Sequence, residues 1–176
     1  MASDYSFQLA NVFVLCELGD FARATAELED ELDAFIASPA EENDADAVRT
    51  IASLCAKHNL SGQISPVSLF RKLRTVTSGL LGPEDPCSLF AELHLAAALL
   101  IHGQEDLAEE AAMALLDRCE RRLGRDDPIA LQSALLLVGV YAGRNDVASG
   151  QALVARFPAL KEALLMGPRG KDSDAT

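Results

Sequence analysis

Tryptophan is absent from the 176 residues, aromatics make up only 5%, and β-branched runs are scarce. Sheet-built cores draw on those residue types, so a β architecture is excluded. Cysteine is sparse as well: Cys16, Cys55, Cys87 and Cys119 lie far apart, with no Cys-x-x-Cys pair. That spacing fits reduced thiols in a cytoplasmic protein rather than a disulfide framework. The first residues, Met1-Ala2-Ser3-Asp4, lack a basic leader, and Gln8, Asn11 and Glu17 interrupt the apolar run that follows. The most apolar windows, Leu95 to Ile101 and Ala134 to Tyr141, fall short of the ~20 residues a membrane span needs. A Gly-rich phosphate loop is missing too, which leaves no expectation of a nucleotide cofactor.

Metal and catalytic chemistry are equally poorly served. A structural zinc site needs four converging ligands, usually in closely spaced pairs. Cys55 with His58 at i, i+3, and Cys87, His94, His102 and Cys119 along one predicted hairpin, do not form such pairs. Cys87 beside a helix start could be activated, but it follows Asp85-Pro86 as an ordinary capping position. The reading is therefore non-catalytic, with no metal and no cofactor.

Charge is unevenly spread over a net of −12. Residues 1–47 hold 12 acids and one base; residues 48–80 hold five bases and no acid; residues 81–176 hold 15 acids and nine bases. A phosphate footprint needs a sustained basic face, so nucleic acid is not an expected partner. A basic or amphipathic protein segment suits the acidic end better.

What is abundant is Leu and Ala at helical spacing. An almost wholly apolar helix, Ser6 to Leu18, implies burial on most sides. Gly19-Asp20 breaks it, and Phe21 to Ala37 follows with its acids, Glu27, Asp30 and Glu31 among them, on the outer face. After the polar loop 38–44, a third helix is expected from Asp46 to His58 and a turn over Asn59 to Gly62. A fourth runs from Ser65-Pro66 to about Ser78, with Arg71, Lys72 and Arg74 as a basic face. Helix five spans Pro86 to His102 with Ile101 inward, and helix six Glu105 to Leu123 with Leu107 inward. Helix seven runs from Pro128 to Ala142 and helix eight from Val147 to Phe157, where Pro158 stops it. Leu160 to Met166 is expected to form a short closing helix, and Leu137, Val140, Leu160, Leu164 and Leu165 either cover one another as a cap or form an exposed apolar patch. Residues 167–176 form a disordered tail.

The punctuation repeats. Leu81-Gly82-Pro83-Glu84-Asp85-Pro86 returns as Leu123-Gly124-Arg125-Asp126-Asp127-Pro128, 42 residues later. Gly19 and Gly103 are 84 apart, Gly62 falls one residue from their midpoint, and Gly143 follows Gly103 by only 40. On these marks the last unit is two residues short, and the first two units are less regular than the last two. With Leu95-Ala96-Ala97, Gly103 and Ala108, this stretch resembles the 42-residue tetratricopeptide (TPR) repeats of kinesin light chains and many bacterial repeat proteins. The resemblance is clear from Leu81 to about Val154. It implies an all-α, right-handed solenoid of about four antiparallel hairpins (5–37, 45–79, 86–123 and 128–157) with a cap at 159–166, all in one domain, 1–166.

Members of that family often line a peptide-clamping groove with an Asn pair on the first helix. Leu93 and His94 stand at those positions in the third unit, Leu135 and Leu136 in the fourth, and Glu105 and Ala112 replace aromatic positions. The fold implied is thus a binding fold without its usual clamp. The expected function is an adaptor or scaffold holding a peptide or helix of a partner. The alternative is a small escort chaperone for an apolar segment. Candidate contact residues are Glu27, Asp30, Glu31, Arg71, Arg74, Leu93, His94 and Leu135, with homodimerisation through exposed apolar surface as a further option.

Overall fold

A computed structural model describes residues 2–37, 44–60 and 67–161, with side chains placed in all of these but 2–9 and 56–60. The elements are α1 (Ala2–Leu18), α2 (Phe21–Ala37), α3 (Asp44–Leu60), α4 (Val67–Leu80), α5 (Pro86–Ile101), α6 (Glu105–Arg122), α7 (Pro128–Gly143) and α8 (Val147–Arg156), followed by a helical turn at 158–161. No strand occurs among the described residues. Two compact units, 1–111 and 112–176, divide the chain within α6.

The two punctuated hairpins keep one register: α5 and α7 open at Pro86 and Pro128, 42 residues apart. The first hairpin shares it at its turn, since left-handed Gly19 (φ 77°) lies 84 residues before left-handed Gly103 (φ 72°). The last unit is not short: the left-handed residue that ends α7 is Asn145 (φ 57°), 42 residues after Gly103, whereas Gly143 is the final residue of the helix itself. Asn is the one common non-Gly residue that takes this conformation cheaply.

The turn chemistry repeats with the register. After α1, α5 and α7 the same pair of hydrogen bonds closes the helix: Gly19 N donates to Cys16 O (3.2 Å) and Asp20 N to Leu15 O (2.9 Å), Gly103 N to Leu100 O (3.0 Å) and Gln104 N to Leu99 O (2.9 Å), Asn145 N to Ala142 O (3.1 Å) and Asp146 N to Tyr141 O (2.8 Å). These satisfy carbonyls that a helix end leaves orphaned. At the other end, Asp85 Oδ1 accepts from Cys87 N and Asp127 Oδ1 from Ile129 N, both at 2.8 Å, with Pro86 and Pro128 at the first helical position.

In unit 1, α1 packs on α2, α3 lies against both, and α5 lies against α3 and α4. Leu28, Leu32, Ile51, Leu69, Phe70, Leu73 and Leu89 fill the core. In unit 2, α7 packs on α8, and Leu137, Val140, Phe157 and Leu160 are buried together with Leu115, Leu116 and Cys119 from the second part of α6. Arg156 pairs with Glu120 and lies 3.9 Å from Asp117, tying α8 to α6; Arg125 Nε adds a 2.9 Å bond to Glu120.

Several expectations need correction. α1 is not buried on most sides: Phe13, Val14 and Leu18 are 47, 50 and 75% exposed, because among the described residues only α2 and α3 pack against it. Ile101 and Leu107, expected inward, are exposed because they flank the turn at Gly103. α3 continues through Leu60, so Asn59 and Leu60 belong to helix and not to the turn. Helix four's expected start at Ser65-Pro66, the loop 38–43, Leu164, Leu165 and the tail 167–176 lie outside the described residues.

Candidate partner-binding surfaces

The acidic second helix faces its own chain more than solvent. Lys72 on α4 sits 2.7 Å from Asp33 and 3.6 Å from Glu29 on α2, and Ser68 Oγ donates to Glu29 at 2.6 Å. The Asp33 hydrogen bond, opposed in part by desolvation and aided by the Glu29 charge, holds the Lys72 ammonium above its usual pKa. Glu27 is half-buried and accepts from Asn11 Nδ2 of α1 at 2.7 and 2.9 Å. Glu31 is a correction: it is buried at 7% exposure, on the packed side of α2, where its neighbour Leu32 is fully buried. Of the acids singled out, only Asp30 is exposed. Arg71 and Arg74 are exposed on α4 and form no ion pair with a described residue.

The α5 positions that match the usual clamp are occupied internally. Leu93 is 4% exposed and therefore offers no surface. His94 is half-buried, its ring 5.3 Å from Phe70 of α4 in a stacked arrangement and 4.1 Å from Phe90 one turn earlier. Burial among these rings pushes the His94 pKa down to about 4, so the imidazole is neutral at pH 7. In α7 the picture reverses, and Leu135, one repeat after Leu93, is 43% exposed.

Unit 2 carries a surface that the sequence reading did not single out. An open groove of about 590 Å³ runs between α7 and α8, lined mainly by apolar atoms of Val138, Ala142, Val147, Gly150, Val154 and Ala155, with Lys161 at its rim. Gly150 lines the groove, and a Cβ there would make an ordinary van der Waals contact, 3.9 Å from Tyr141 Cβ. The signal that could have found these residues lies in the register. Val138 follows Val12 and Leu54, and Val154 follows Leu28 and Phe70, by whole multiples of 42; those four are at most 8% exposed.

No group of three or more His, Cys, Asp or Glu that could hold a metal occurs among the described residues. Cys55 is buried, and desolvation, with Cys16 close by, pushes its thiol up to about 12. Cys87 is half-buried, its thiol raised by burial first and by Asp85 second. Neither environment activates a nucleophile. No helix among the described residues is long and apolar enough to cross a membrane.

No protein-family model matches the chain, and no curated protein matches its sequence. Among solved structures, the crystal structure of a Podosopora anserina protein assigned to the kinesin light chains, with nearly identical TPR-like repeats, matches with a TM-score of 0.67 at 20% identity, covering 95% of this chain and 79% of that one. With the 42-residue register and the helix-by-helix packing above, this establishes an all-α, TPR-like repeat fold.

Proposed function

We propose that this chain is a non-catalytic protein-interaction module that takes an amphipathic helix of a partner into the groove between α7 and α8. The observation that supports this reading is the groove itself: Val138 and Val154 in its apolar lining occupy repeat positions that are covered in the first two hairpins. TPR-like folds typically bind proteins, and the fold is usually non-catalytic. Affinity would come from apolar burial, at roughly 25 cal/mol per Å² removed from water before ordering costs. The acidic hairpin contributes less than its composition suggests, because Lys72 already pairs with Asp33 and Glu29 and offsets one of their two charges. Binding should accordingly change little with salt.

Lys161 at the groove rim offers a built-in reporter. The chain treated with an amine cross-linker in lysate should link Lys161 to helical segments of partners, and Val154→Arg, at the register position of buried Leu28 and Phe70, should abolish those links. Links that gather at Lys72 instead, or persist in Val154→Arg, would place binding elsewhere. The escort-chaperone alternative draws on the same apolar lining; it requires the captured helix to come from a partner that aggregates without this protein.

A further inference from the structure

The α7/α8 groove and the end of the described chain meet at one residue. Phe157 leaves the helical region (φ −122°, ψ 84°), and a helical turn follows at 158–161, with Pro158 at its first position and Leu160 N donating to Phe157 O at 3.0 Å. Phe157 and Leu160 are buried, whereas the next residue, Lys161, lines the groove. Groove and turn belong to one compact unit, 112–176. α8 has 10 residues where α2 has 17 and α4 has 14, so the chain turns back toward the groove early.

Residues 162–169, Glu-Ala-Leu-Leu-Met-Gly-Pro-Arg, lie beyond the described ones, and their pattern suits an apolar groove. Continuing the turn at about 100° per residue puts Leu164 about 60° to one side of Lys161 and Leu165 about 40° to the other. Leu160 adjoins Leu164, so the three leucines form one stripe with groove-lining Lys161 inside it, while Glu162 and Met166 fall on the opposite side. Gly167-Pro168 supplies the stop. Reach is not limiting, since a helix advances only about 6 Å from Lys161 to Leu165. The same chain shows how such grooves are filled: that of the first hairpin by α3 and that of the second by α5, each time by the segment next in sequence. There the register positions of Val138 and Val154 hold Val12 and Leu28, then Leu54 and Phe70, all buried, whereas Val138 and Val154 themselves are half-buried.

We propose that residues 162–166 continue the 158–161 turn as a helix and seat Leu164 and Leu165 in the α7/α8 groove, so that a partner's helix binds only by displacing them. This rests on the groove being a helix-binding site and adds how that site is held in check. Tethered by so few residues, Leu164 and Leu165 meet the groove at an effective concentration of about 1 mM. A partner's affinity is lowered by the fraction of chains whose groove is free; with about one chain in ten free, the loss is about tenfold. Whatever draws the segment out of the groove, the partner itself included, restores the full affinity.

Two measurements on the whole chain test this. NMR of the methyl-labelled protein should show NOEs from the Leu165 methyls to those of Val138 or Val154. A fluorescent synthetic peptide of residues 158–167 is then titrated into wild type, Leu165→Arg and Met166→Arg. Leu165→Arg would bury an unpaired guanidinium in the groove, so it should free the groove and bind the peptide at least about tenfold more tightly than wild type does. Met166→Arg, off the stripe, should bind it as wild type does. If circular dichroism shows that Leu165→Arg misfolds, Leu165→Ser replaces it. Absence of NOEs to the groove valines would overturn the proposal, and so would equal affinity for the peptide, or none, in wild type and Leu165→Arg. The groove reading is then judged separately at Lys161. Cross-links to partner helices that are lost in Val154→Arg leave it standing, and their absence takes it down as well.

Discussion

Lowering the pH from 7 to 4.5 should cost this protein stability through one side chain, His94. In the folded chain its pKa is pushed down to about 4 from 6.5 by burial between Phe70 and Phe90. The unfolded chain therefore takes up a proton that the folded chain refuses between those two values. Stability is full above pH 6.5 and falls as the pH drops toward 4. At 1.36 kcal/mol per pKa unit, and discounting for the ring's partial contact with water, the loss by pH 4.5 is about 2 kcal/mol. For a unit of this size that corresponds to roughly 6–10 °C in melting temperature. Carboxylates titrate in the same range, so the quantity to read is a difference between two proteins. Thermal melts of wild type and His94→Leu followed by circular dichroism at pH 7, 6, 5 and 4.5 supply it. Wild type should lose those additional degrees while His94→Leu does not. Parallel pH profiles would refute the claim that His94 is held neutral by its stack against α4.

The remaining predictions concern the turns and the thiols. Gly103→Val forces a β-branched residue into φ 72° and should destabilise by about 1–2 kcal/mol, whereas Asn145→Gly, at φ 57°, should be neutral or stabilising by up to about 1 kcal/mol; equal effects in urea melts would show that the two positions are not equivalent turns. Among the four thiols, Cys16, Cys55 and Cys119 are buried and Cys87 is half-buried. A disulfide reagent at pH 8 should modify Cys87 first, and slowly, since burial and Asp85 raise its thiol; mass spectrometry finding Cys55 modified at the same rate would contradict the packing of α3.

Much of the fold was legible because the physics that sets helix ends is local. Asp85-Pro86 and Asp127-Pro128 announce α5 and α7 by capping chemistry alone. The first hairpin lacks that punctuation, and what ties it to the register is Gly19, left-handed like Gly103 84 residues later. Gly143 reads as the turn residue because glycine is the stronger signal, although Asn145 takes the left-handed conformation (φ 57°) that ends α7. The surfaces were harder to read. Leu93 and Leu135 are the same residue at the same register position, one buried and one exposed, and no local rule separates them. Glu31 reads as one more outward acid in a Glu-rich helix, yet the phase of the α2 stripe places it beside buried Leu28 and Leu32.

Because the capped starts of α5 and α7, at Pro86 and Pro128, lie 42 residues apart, the chain has a natural unit of length. Removing residues 44–85 would bring α5 to the place in the register that α3 now holds, and duplicating the same span would insert another identical step. Either change preserves the 42-residue spacing, but each new junction joins faces that do not meet now: after the deletion α5 would lie on α1 and α2, whereas it packs on α3 and α4. For a repeat of this kind, insertions and deletions are costliest when they are not multiples of 42. Size can then drift by whole hairpins, while a single-residue slip anywhere inside one would be felt across its full length.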